Sequence, residues 1–219
     1  MRFINDEIIL NEEAIFNGEN KKAVYIVLMH TGTVLANIIK KVTHDEFSHA
    51  CISFNSKLDP LYSFGSKPIQ DDNKHGNGIG FCINNKHDTF FDTHKTTYKV
   101  YVMYVSSVAY NKMKNRLDFF LKNKDTLKFD FKGLFDIWFG INSENHEKYF
   151  CSRFVMDLIN NGIELNKAPS LWKPNDIAFL NNISLVNHGN DFADYNYRKT
   201  DKNCKLIKMG KYDERKILI

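Results

Sequence analysis

The sequence predicts an α+β protein. Several short apolar or alternating runs have the length of strands, and two longer stretches carry helical periodicity. The two kinds are mixed without the regular strand–helix–strand alternation of a parallel sheet. The chain has 219 residues, 43% hydrophobic and 26% charged, which is an ordinary globular composition with enough apolar material for a real core. With eighteen Phe and ten Tyr, that core is aromatic-rich.

The elements follow in order. "KAVYIVLMH", residues 22–30, is short, apolar and partly β-branched, and reads as a buried strand. "GTVLANIIKKVT", residues 32–43, places Val34, Ile38 and Val42 four apart and suits a short helix. "FSHACISFN", residues 47–55, alternates as a strand, with Phe47, His49, Cys51 and Ser53 on one face and Ala50, Ile52 and Phe54 on the other. "PLYSFGS" is its hairpin partner after a turn around "NSKLDP". "DDNKHGNGIG", residues 71–80, reads as a loop, "KVYVMYVSS", residues 99–107, as a strand, and "VAYNKMKNRLDFFLKNK", residues 108–124, as a helix with Met113, Leu117 and Phe120 on one side. "FDFKGLFDIWFGI", residues 129–141, is aromatic and irregular. A second helix runs from about Phe150 to Asn161, with Gly162 placed as its C-terminal cap. "APSLWKPNDIAFLNNISLV" supplies a Pro-rich loop and a strand.

No internal repeat or low-complexity linker divides the chain, so a single domain over 1–219 is expected, with its core at about 22–185 and a basic tail at about 198–219. The net charge of +4 is mildly basic and does not by itself indicate nucleic acid. "TLKFDFKGLFDIWFG" resembles a base-stacking platform only in outline. Phe129, Phe131, Leu134, Phe135 and Trp138 read instead as core, or as a lid over a cleft. The N-terminus carries early acids and no signal-like apolar run, and no stretch is long and apolar enough for a membrane span. A cytoplasmic protein without a transmembrane segment is therefore expected, release by lysis or non-classical export aside. Lys- and Asn-rich usage fits an A/T-rich bacterial or phage genome.

Cys51, Cys82, Cys151 and Cys204 are scattered and form no CxxC pair, so free thiols are expected rather than a disulfide framework or a zinc site. His44 and His49 in "HDEFSH" do not form HExxH. His87, Asp88, Asp92 and His94 form at best a loose ligand set, and "DDNKHGNGIG" lacks the Lys-Ser/Thr of a phosphate loop. No metal or cofactor is expected.

The chemistry points to Cys151. It lies in the first turn of a strongly amphipathic helix, where unpaired amides favour an anion, lower a thiol's pKa and can hold an oxyanion. A cysteine nucleophile wants a base, and His49 is a polar imidazole inside an apolar strand. Cys51 shares that strand face but has no helix terminus, so it reads as a wall of the same site or as packing.

"FSHACISF" resembles the strand that bears the catalytic histidine in NlpC-like cysteine hydrolases of the papain-like fold, and "YFCSRFVMDLI" resembles the start of their catalytic helix. The histidine precedes the cysteine by about a hundred residues, the order of the circularly permuted branch that includes the YiiX-like and lecithin–retinol acyltransferase-like proteins. "KPNDIAFL" is similar to a Pro-x-Asp turn after that helix, and the likeness covers roughly residues 22–185. The resemblance implies an antiparallel sheet packed on the cysteine helix, Cys151 as nucleophile, His49 as general base and Ser63, in "LYSFGS", nearest the third position that orients the imidazole. A serine there is a departure, because it orients an imidazole more weakly than a carboxylate or a second histidine would. The implied activity is hydrolysis of an amide or ester through a thioacyl intermediate, on a peptide, cell-wall or lipid acyl substrate. The alternatives are an acyltransferase and a binding or structural module that keeps the fold. The 71–80 loop and the 129–141 stretch are expected to shape the pocket.

Overall fold

A computed structural model describes residues 3–4, 7–8, 13–16, 19–32, 45–66, 79–85, 88, 91 and 95–197. The expected helix at 32–43 beyond Gly32, most of the 71–80 loop, His44, His87, Asp92, His94, Cys204 and the basic tail lie outside the described residues.

The architecture is α+β. Two short strands, β1 (Phe3–Ile4) and β2 (Glu7–Ile8), pair with each other. The main sheet holds β3 (Glu13–Phe16), β4 (Glu19–His30), β5 (His49–Ser53), β6 (Leu61–Ser66), β7 (Ile79–Asn84), β8 (Thr97–Ser106) and β11 (Ile183–Gly189), in the order β11-β8-β4-β5-β6-β7 with β3 on the first part of β4. Every neighbouring pair in it is antiparallel. Between β8 and β11 come α1 (Ser107–Lys122), β9 (Lys128–Phe129), α2 (Phe131–Asp136) with a 3-10 turn (Ile137–Phe139), β10 (Lys148–Tyr149), α3 (Cys151–Gly162) and α4 (Pro174–Ile177). Ile79 and Gly80, read from sequence as loop, open β7, because Phe81 and Cys82 are buried and carry the strand pairing with β6.

β4 is the central strand, covered on both faces, which is why its sequence is apolar without alternation. On one face Val24, Ile26 and Leu28 join Ala50, Ile52 and Phe64 against Met113, Leu117 and Phe120 of α1 and Phe154, Val155 and Leu158 of α3. On the other face Tyr25, Val27 and Met29 join Cys51 and Leu61 beneath Phe91, Phe192 and Tyr195. The Tyr195 hydroxyl donates to the Ser56 carbonyl at 2.7 Å, which ties this second cover to the loop after β5.

α3 is held against α1 by a polar clamp and a close approach. Arg116 donates to both Asp157 oxygens, Nε at 2.6 Å and Nη2 at 2.9 Å, and also to the Tyr149 hydroxyl at 3.1 Å. Gly162 is not the left-handed cap that its position suggests. It is the last helical residue, and the capping residue Ile163 is extended at φ −136. A Cβ on Gly162 would meet Met113 Cε at 2.6 Å and the Ala109 carbonyl at 2.7 Å, so glycine is required for helix–helix contact.

The 129–141 stretch is also a correction in part. Leu134 is buried as expected, and Ile137 with it, but Phe131 and Phe135 are exposed, as are Phe139 and Ile141 beyond them. A short helix can bury only one side, and Leu134 and Ile137 take that side.

Candidate active site

Cys151 is the first residue of α3, and Phe150 before it is extended and makes no side-chain cap. The helix is docked centrally, so its first turn is buried, and Cys151 is 5% exposed. Its sulfur lies against the backbone amides of Cys151, Ser152 and, from the neighbouring strand, Ala50.

The Ala50 contact depends on a break in the sheet. β5 pairs with β6 at Ile52 opposite Tyr62, and among the described residues no further pair continues the ladder toward His49. In that gap the Ala50 amide faces the Cys151 sulfur, and its carbonyl accepts the Ser63 hydroxyl at 2.7 Å. Both backbone groups that would bond β6 are thus taken up by the site, which satisfies the accounting for buried main-chain groups.

His49 opens β5, and its ring lies across β6 over Gly65, where a Cβ would stand 3.1 Å from Cε1. His49 Nε2 is 3.1 Å from Ser63 Oγ. The serine has one proton, and the short contact to the Ala50 carbonyl takes it. The Ser63 oxygen must then accept from His49, so Nε2 carries the hydrogen and Nδ1 keeps the lone pair. Burial lowers the His49 pKa from 6.5 to about 4, so the ring is neutral at neutral pH. Ser63 therefore selects the tautomer as well as the orientation.

The thiol differs from the sequence expectation. A helix N-terminus was expected to lower its pKa. Burial instead raises the Cys151 pKa to about 11, against the opposing pull of the three amides. Desolvation of a nearly inaccessible sulfur outweighs the partial charge of the first turn. Cys151 and His49 are both neutral, the one against the Ala50 amide and the other on Ser63, and among the described residues no hydrogen bond joins them.

Cys51 sits on the His49 face of β5, its thiol against the Ser63 side chain, and burial pushes its pKa far up. Two contributors escaped sequence reasoning. Ala50 acts through its backbone, which leaves no residue-type signal. Gly65 was visible as the small residue in "LYSFGS", and the ring that it admits is the reason for it. Among the described residues no group of three or more His, Cys, Asp or Glu could hold a metal ion. No described helix is long and apolar enough to cross a membrane. Comparison with known proteins finds no match to any family model, any curated protein or any solved structure.

Proposed function

We propose that this chain is a cysteine hydrolase of the permuted papain-like kind, cleaving an amide or ester with Cys151 as nucleophile, His49 as general base and Ser63 as the group that orients the base. The observation that carries the reading is the Ser63 hydroxyl between His49 Nε2 and the Ala50 carbonyl, which leaves Nδ1 as the basic nitrogen on the strand whose next amide touches the Cys151 sulfur. The order of elements, a histidine strand in an antiparallel sheet followed by a cysteine helix packed on it, supports the same fold.

In the proposed reaction the Cys151 sulfur attacks the substrate carbonyl as His49 takes the thiol proton. The tetrahedral oxyanion collapses to a thioester, and the His49 proton passes to the leaving amine or alkoxide. Water then attacks the thioester, with His49 again as base, and the acid and free thiol are regenerated. An acceptor other than water would make the same site an acyltransferase.

A second reading has its own support. The raised Cys151 pKa and the missing His49–Cys151 hydrogen bond suit a binding module that keeps the fold without turnover. Incubation with p-nitrophenyl acetate, read by intact mass and peptide mapping, separates the two. A hydrolase gives one acetyl group on Cys151, lost in Cys151→Ala and strongly slowed in His49→Gln. No adduct on Cys151, or acylation indifferent to His49, leaves the binding module as the reading.

A further inference from the structure

The stretch from 128 to 141 turns an apolar side outward. α2 and its 3-10 turn pack inward through Leu134 and Ile137, which meet Phe150. On the outside Phe131 is 49% exposed, Phe135 51%, Phe139 78% and Ile141 51%. The three phenylalanines fall at helical spacing, and ring contacts broaden the stripe, Phe129 on Phe131 at 4.8 Å and Trp138 edge-on to Phe135 at 5.4 Å. An exposed apolar surface of this kind marks an interaction site.

The surrounding charges decide the partner. Both carboxylates of the element are turned inward. Asp130 is buried beside Arg153, and Asp136, its side chain 13% exposed, accepts from Lys132. The lysine side chains lie outside, the Lys132 ammonium reaching back to Asp136. The Lys132 side chain is 79% exposed, and Lys128 and Lys148, opposite each other across β9 and β10, are both exposed. The exposed residues from 128 to 141 are Phe, Ile, Gly and Lys, with no exposed acid among them; of the neighbouring exposed acids, Glu147 lies next to Lys148 and its carbonyl accepts from the Lys128 amide, so it offsets one of the three lysine charges. Lysine is depleted at protein–protein interfaces. A second copy meeting this face about a two-fold axis would set three lysines against three. Aromatic and aliphatic residues rimmed by lysine are instead the composition of an interfacial, anionic-membrane element.

We infer that the 128–141 element docks this protein on the surface of an anionic lipid bilayer. Phe131, Phe135, Phe139 and Ile141 enter the boundary between headgroups and acyl chains, and Lys128, Lys132 and Lys148 meet the lipid phosphates. The docking stands apart from any chemistry at Cys151. It does bring the bilayer close to Phe150, the residue before Cys151, which packs on the inner side of the element.

The test is co-sedimentation of the full chain with phosphatidylcholine vesicles, with and without about one third phosphatidylglycerol. Binding is expected to the anionic vesicles, at least tenfold weaker to the neutral ones, and to weaken as salt rises. The Phe135→Ser/Phe139→Ser variant should lose at least about tenfold in partitioning with its melting curve unchanged, because both rings are already exposed. Lys128→Ala/Lys148→Ala should lose about fivefold per lysine and most of the preference for anionic lipid. Wild-type fluorescence gives a readout that needs no variant. Brominated acyl chains should quench Trp138, scored against Trp138→Phe, and spare the buried Trp172. Absence of vesicle binding at low salt, binding indifferent to the phenylalanine variant, or unquenched Trp138 would each overturn the inference. So would a concentration-dependent dimer that the phenylalanine variant abolishes, which would assign the face to a second copy.

Discussion

Cys151 is expected to rest as a neutral thiol and His49 as a neutral imidazole, and the pH dependence of alkylation reads this directly. With the Cys151 pKa at about 11, roughly one thiol in ten thousand is ionised at pH 7. A thiol at the ordinary value of 9.0 would have about one in a hundred, so iodoacetamide should modify Cys151 about a hundredfold more slowly than an exposed cysteine. The rate should climb steadily up to about pH 10, with no step at the titration of His49, whose own pKa is about 4. Peptide mass spectrometry over pH 4–9 resolves Cys151 from Cys51 and Cys82, and His49→Ala should leave the profile of Cys151 nearly unchanged. Acylation by an activated ester should behave differently. On the proposed mechanism neutral His49 is the base, so acylation should be flat above about pH 5 and fall as pH drops through about 4, with a sizeable solvent isotope effect. A midpoint for alkylation below about 7.5, shifted by His49→Ala, would mean a resting thiolate–imidazolium pair and would refute the dominance of burial over the helix terminus.

Three substitutions test the supports of the site. Ser63→Ala removes the acceptor for Nε2 and strands the Ala50 carbonyl. It should cost about 1–2 kcal/mol of stability and about tenfold or more in acylation, with 15N shifts of His49 showing mixed tautomers. Gly65→Ala pushes a methyl to 3.1 Å from His49 Cε1 and should slow acylation while leaving the melting temperature nearly unchanged. Gly162→Ala gains about 1 kcal/mol of helix propensity but overpacks Met113 and the Ala109 carbonyl at a cost of about 1–3 kcal/mol. Denaturant melts should show net destabilisation. Adding Met113→Ala should not relieve it, because the Ala109 oxygen stays in place and a cavity opens.

What could be read from the sequence was whatever leaves a periodic or compositional trace. The uninterrupted run of β4 follows from burial on both faces, and the spacing of Met113, Leu117 and Phe120 follows from the single face that α1 buries. The alternation of β5 placed His49 and Cys51 together, and the hairpin reading set "LYSFGS" beside that strand, while Ser63 itself was singled out only by the family resemblance; its hydroxyl lies 3.1 Å from His49 Nε2. What escaped depends on distance between elements. Gly162 reads as a cap by position, and only the approach of α1 shows that it is a contact. The role of Ala50 lies in its backbone and in a ladder that stops, for which the alphabet has no letter. The sign of the Cys151 shift is a contest between a local term, the first-turn amides, and a global one, the depth of burial. Sequence shows only the first.

On the proposed reading, that contest also sets which bonds the site would cleave. Moving the proton from Cys151, pKa about 11, to His49, pKa about 4, crosses about seven units and costs at most roughly 10 kcal/mol before any bond to the substrate forms, less whatever the attraction between the new thiolate and imidazolium returns. An enzyme turning over once per second has a total barrier of about 17 kcal/mol. Little is left for expelling a poor leaving group unless the bound substrate stabilises the charge as it develops or the burial of the sulfur changes. With the site closed as described, p-nitrophenyl esters should acylate Cys151 far faster than the corresponding p-nitroanilides, and the gap should exceed that shown by a small free thiol. Equal reactivity toward ester and anilide would mean that the proton transfer does not carry this cost in the working site. Substrate binding would then re-solvate or re-pair Cys151, and His49 Nδ1, with Nε2 already committed to Ser63, is the nitrogen available for that pairing.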